Sequence, residues 1–160
     1  MRKLTPIAAA LGLLTVAAAV PAQPTDDSAV GEGLPAHLRG LLIQEMLAIL
    51  DASKTILDAI VRGDDERVAE HAQAIHDSFI LAQQMTDADS EALHEALPHA
   101  FLERDEAFHE LSAELAVAAR AGDRARQREL FADMLEACVD CHAAHAANRF
   151  PALAGEGTAR

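Results

Sequence analysis

The chain has 160 residues, of which 26 are acidic against 13 lysines and arginines, for a net charge of −13. A surface of that sign repels nucleic acid and anionic membranes, which argues against both as partners. The length fits one domain with a single real core and is too short for two.

Residues 1–22 read as a secretory signal peptide. Arg2 and Lys3 precede an apolar run from Ile7 through Val20, and small residues lead to a cleavage position after Val20-Pro21-Ala22. The run is shorter than the ~20 residues that span a bilayer, so the mature protein is expected to be periplasmic and free of the membrane. Loss of Arg2 and Lys3 raises the acidic excess to about 15. Residues 23–33 are polar and rich in breakers (Pro24, Gly31, Gly33) and are expected to form a disordered leader.

A first helix is predicted from Leu34-Pro35 to Arg62, stopped by Gly63, with the apolar stripe Leu38, Leu42, Met46, Ile49, Ser53, Ile56 and Ile60. Asp64 caps a second, which carries Val68, Ala72, Ile75, Phe79 and Ala82 on one side and ends near Met85. Thr86 to Asp89 starts a short helical segment up to Leu97. A third long helix follows from about Pro98 to Ala121 with Phe101, Phe108, Leu111, Leu115 and Ala118 inward. Asp123 caps a fourth, extended to about Ala147, in which Leu130, Met134, Ala137, Cys141 and Ala144 share a face. No stretch alternates with period two, and the connections are short. The fold class is therefore expected to be all-α, an antiparallel up-down-up-down four-helix bundle over residues 34–150, with 151–160 as a C-terminal tail.

Cys138-Val139-Asp140-Cys141-His142 is the motif that carries chemistry. Export favours disulfides, but a bridge at this spacing closes a loop too small to staple a fold. Cys-x-x-Cys-His is instead the signature of covalent attachment of one haem c. Each thiol adds its S–H across one porphyrin vinyl group, and the adjacent histidine is carried beneath the iron as the proximal ligand. Other readings of these residues are a thioredoxin-like redox pair, which needs a helix N-terminus in a βαβ setting, a zinc site using Cys138, Cys141, His142 and His145, and two inert cysteines. Nothing in the sequence suggests hydrolytic catalysis, since no arrangement of nucleophile, base and orienter is visible.

Helix count and the position of this motif on the last helix resemble the class II c-type cytochromes, cytochrome c prime and its low-spin relatives, which are up-down four-helix bundles. The resemblance covers the mature chain and is specific at Cys138, Cys141 and His142, and looser at Gln44 to Leu47, where the family places its distal residue. It implies a monohaem periplasmic protein that passes single electrons between redox partners rather than an enzyme, and a bundle able to form a homodimer. Partners with basic surfaces would suit the acidic chain, although such charge also simply keeps a protein soluble. The family commonly has an aromatic and a basic residue three and four positions after the histidine; here those are His145 and Ala146, and Arg149-Phe150 comes later.

The resemblance turns the first helix toward the haem, which makes Met46 the leading candidate for distal iron ligand. A methionine on a helical stripe is also ordinary core filler. An open position lined by Leu42 or Leu47 would instead bind NO or CO, making the alternative function gas binding or buffering. Bis-histidine ligation from His71, His76, His94, His99 or His109 ranks third, and His37 and His145 are expected to be solvated. Arg39 and Arg149 are candidates to pair with a haem propionate. Phe79, Phe101, Phe108 and Phe131 are expected in the core.

Overall fold

The computed structural model describes residues 29–154 other than Phe79, and the backbone alone at Ala82. The expected signal peptide and most of the leader lie outside the described residues. Among those described, the fold is all-α, with no strand: α1 (Ala36–Arg62), α2 (Asp65–His76), α3 (Leu81–Gln84), α4 (Asp87–Ala96), α5 (His99–Arg120) and α6 (Arg124–His145), with 3-10 turns at Val30–Glu32 and Pro151–Leu153. Along this path α2 packs against both α1 and α5, and α5 against α6.

Local chemistry sets the ends. Gly63, at φ +72°, takes the left-handed conformation that stops α1, and Asp64 accepts a hydrogen bond from the Arg67 amide to start α2. Thr86 and Asp89 form a reciprocal capping box at the head of α4. Gly122, at φ +68°, and the Asp123 carboxylate repeat the first device between α5 and α6. Arg124 then ties the two turns together, donating to the Gly63 carbonyl and to Asp65.

The expected second helix does not run to Met85. α2 ends at His76, and Ser78 takes φ +61°, a conformation non-glycine residues seldom adopt. The Glu45 carboxylate, only 1% exposed, accepts from the amides of Ile80 (2.6 Å) and Leu81 (3.1 Å) and so starts the short α3. A carboxylate from α1 has taken over donors that a continuous helix would have satisfied internally.

Two apolar clusters hold the fold. The larger joins α1, α2, α5 and α6 through residues such as Ile56, Val68, Ile75, Leu115, Leu130 and Met134. The smaller gathers Leu34, Leu38, Leu93, Leu97 and Phe101, where α4 and the start of α5 meet the start of α1. From Ala29 onward the expected leader is folded: Ala29 and Leu34 are buried and Arg39 donates to the carbonyls of Gly31, Glu32 and Leu34. Arg39 is thus spent on a local turn. No described helix is long and apolar enough to cross a membrane.

Candidate functional site

Cys138 and Cys141 sit one turn apart near the end of α6, half-buried and free of any disulfide. Burial pushes both thiols up, Cys141 to about 11, where Asp105 adds to the effect and Arg104 opposes it. Both are therefore protonated at neutral pH, unlike the low-pKa thiolate of a redox pair at a helix N-terminus. The Cys141 side chain packs against the smaller cluster, whose members include Leu38, Leu97 and Phe101.

His142 is half-buried, and burial holds its imidazole below the usual histidine range, which favours the neutral form that ligates a metal. Its ring stacks on Phe150, centroids 4.3 Å apart and planes 7° from parallel. The chain folds back after α6 to bring that ring into place, the amides of Arg149 and Phe150 both donating to the Ala146 carbonyl. The aromatic ring against His142 is in this way supplied from eight positions further along the chain.

His145 is not solvated, as its polarity had suggested. It is half-buried one turn beyond Cys141, edge-on to Phe101 at 5.5 Å, and its Nε2 is buried without a hydrogen-bond partner. Burial and the nearby Arg104 cation hold it below the ordinary histidine range. His37 is exposed as expected and pairs with Asp89 at 2.7 Å.

Met46 is half-buried and packs against the larger cluster, whereas the α1 residues that share a cluster with Cys141 are Leu38, Leu41 and Leu42. The remaining histidines divide by exposure. His94 and His99 are exposed; His76 contacts the His109 carbonyl at 3.1 Å through Nδ1, and His109 lies 3.9 Å from Asp105. Burial raises the Asp105 carboxyl, with Glu45 adding to the effect and His109 opposing it. Among the described residues no three His, Cys, Asp or Glu side chains converge as a metal-holding group, so Cys138, Cys141, His142 and His145 do not make a zinc site by themselves.

The donor chemistry fits a covalently held haem. Two protonated thiols one turn apart, a neutral imidazole directly after the second, an apolar cluster against Cys141 and an orphaned nitrogen on His145 are all at one end of the fold. An open depression of about 470 Å³ lined by Asp65, Glu66, Ala69, Glu70, Ala119 and Arg120 lies at the other end. The rise of α5 from Asp105 to Arg120 separates the two by about 22 Å. Of the residues around the motif, Phe101 was identified by sequence periodicity; His145 was expected in solvent, where polar residues are ordinarily assigned, and its burial was missed.

No protein-family model matches the chain, and no curated protein or solved structure matches it.

Proposed function

We propose that this chain is a periplasmic monohaem c-type cytochrome of the class II type, in which α1, α2, α5 and α6 form an up-down-up-down four-helix bundle and a single haem is attached at the end of α6. The observation that carries it is the Cys138-x-x-Cys141-His142 motif on the last long helix, with Cys141 packed into an apolar cluster and the imidazole of His142 in its neutral form. Cys138 and Cys141 would hold the macrocycle by thioether bonds, each forming as one S–H adds across one vinyl group with no net oxidation. His142 would supply the proximal nitrogen, and Phe150 would fix the plane of that ring. When bound, the haem supplies one-electron chemistry or an iron site for a small gas.

Single-electron transfer between redox partners is the function proposed first, with Met46 as distal ligand. The acidic surface suits transient docking to a basic partner. The packing of α1 favours a second reading. Leu38, Leu41 and Leu42, not Met46, share the cluster of Cys141, and an apolar distal side without a ligand would leave the iron open to NO or CO.

The test is the visible absorption spectrum of the exported protein, oxidised and reduced, with and without carbon monoxide. Sharp reduced bands unmoved by carbon monoxide support the electron carrier, and a broad reduced band that shifts with it supports the gas-binding site. Colourless protein, after co-expression with the haem-attachment machinery, overturns both.

A further inference from the structure

The two ends of the described chain meet beside the Cys-x-x-Cys-His motif. Ahead of α1, Ala29 and Leu34 are buried, and the Glu32 amide donates to the Ala29 carbonyl at 2.7 Å. Arg39 reaches back from the start of α1 to donate to the carbonyls of Gly31, Glu32 and Leu34, which holds this segment in one shape. Its apolar side chains, Val30 and Leu34, belong to the same cluster as Cys141. Its polar side chain, the Glu32 carboxylate, accepts from Asn148 Nδ2 at 2.6 Å across 116 residues of chain. Asn148 lies in the turn at residues 147–149, two positions before Phe150, whose ring is stacked on His142. Within that turn the amides of Arg149 and Phe150 share one acceptor, the Ala146 carbonyl. A short turn beyond a last helix frays unless it is tied down, and a carboxylate acceptor makes the Asn148 bond the stronger kind of tie.

We propose that residues 29–34 brace the motif: Glu32, set by Arg39, holds Asn148 so that the return after α6 lays Phe150 on His142. Glu32, Arg39 and Asn148 are then positioning residues for the imidazole, and they act on it through Phe150. The segment that sequence alone assigns to a disordered leader becomes part of the site. What the brace does for a bound haem rests on the function proposed above. The brace itself does not, because each of its contacts joins groups of this chain.

The test compares the full chain exported with and without the haem-attachment machinery. Hydrogen exchange at the Arg149 and Phe150 amides is measured in both proteins, the His142 ring signals by NMR in the unloaded one, and electron paramagnetic resonance in the oxidised loaded one. Glu32→Ala and Asn148→Ala are each expected to speed exchange at the two amides by about tenfold and to shift the His142 ring protons as the Phe150 ring current is lost. The double variant should do no more than either alone, since both remove one contact. Glu32→Gln keeps an acceptor oxygen and is expected to keep the wild-type signals. Asn148→Asp sets two carboxylates together and should release the turn, whereas Glu32→Gln added to it restores a donor and an acceptor and should bring the stack back. Arg124→Ala removes the tie between the two turns at the other end of the fold and is expected to lower stability with the His142 signals unmoved. Ring signals and exchange that stay constant in both alanine variants at positions 32 and 148, or that move as much in Arg124→Ala, overturn the proposal. An electron paramagnetic resonance spectrum that stays constant while exchange accelerates overturns the link from the brace to the haem. Colourless protein whose ring signals still respond sinks the haem reading alone and upholds the brace.

Discussion

The ring of His142 lies flat on that of Phe150, 4.3 Å between centroids, and this contact restrains the imidazole that follows the two cysteines. Phe150 is 42% exposed, so its removal costs little packing. Phe150→Ala is expected to lower stability by about 0.5 kcal/mol, the low end for an aromatic pair. Covalent haem per chain is expected to stay constant while the electron paramagnetic resonance spectrum of the oxidised protein changes, because the ring plane is freed. An unchanged spectrum removes Phe150 from any role in orienting His142.

Cys141 contributes to the smaller apolar cluster as well as carrying a thiol. Cys141→Ala is expected to weaken or abolish covalent haem, read by haem staining on a denaturing gel, and to lower the melting temperature as the stabilisation of a bound group is lost. Unchanged absorbance and melting would sink the haem assignment. In unloaded protein the thiol is expected to resist alkylation at neutral pH and to react faster as pH climbs toward about 11, where the thiolate forms.

Glu45 on α1 is buried and accepts two backbone hydrogen bonds at the start of α3. Glu45→Ala leaves the amides of Ile80 and Leu81 without that acceptor, and the expected loss of stability is about 1–3 kcal/mol in chemical denaturation. Glu45→Gln keeps an oxygen in place and is expected to lose less. Hydrogen exchange at the two amides should accelerate in the alanine variant and stay slow in the glutamine one. Equal exchange in all three proteins would show that the carboxylate does not hold this turn.

The long helices were legible because each announces itself twice, through apolar periodicity and through its ends. Gly63-Asp64 and Gly122-Asp123 combine a left-handed glycine with an N-cap aspartate, and the helix boundaries fall there. The break after His76 was not legible, because it depends on Glu45, which is 35 residues away in sequence from the Ile80 amide it accepts from. A stripe read at steps of four and three put Met46 on the core line; the buried line there runs one residue earlier, through Glu45. At the site the Cys-x-x-Cys-His spacing was visible in the sequence. The burial of His145 and the return of Phe150 onto His142 depend on how α6 ends, and no local pattern encodes them.

Asp89 gives a pH dependence of known sign. The hydrogen bond from His37, with further bonds from Thr86, lowers its carboxyl from 3.8 to about 2. A carboxyl held below its unfolded value stabilises the fold above that value, and the contribution is lost as pH falls through about 2. His37→Ala is expected to move the Asp89 titration back toward 3.8, followed by carboxyl carbon chemical shifts. The head of α4 should then fray at a higher pH than in the wild type. A titration unmoved by the substitution would assign the shift to the Thr86 capping box alone.

His145 carries a buried nitrogen with no partner, at a cost of about 1–3 kcal/mol for such a group. His145→Phe keeps an aromatic edge against Phe101 and removes the unsatisfied nitrogen, so the unloaded chain is expected to become more stable. If the haem or its propionates pair with Nε2, the same substitution should bring less stabilisation, or a loss, in the loaded protein. Comparing the melting temperatures of the two proteins, each with haem and without, isolates that difference. Equal stabilisation in both states would mean that Nε2 stays unpaired when haem is present, and that His145 has no polar contact with it.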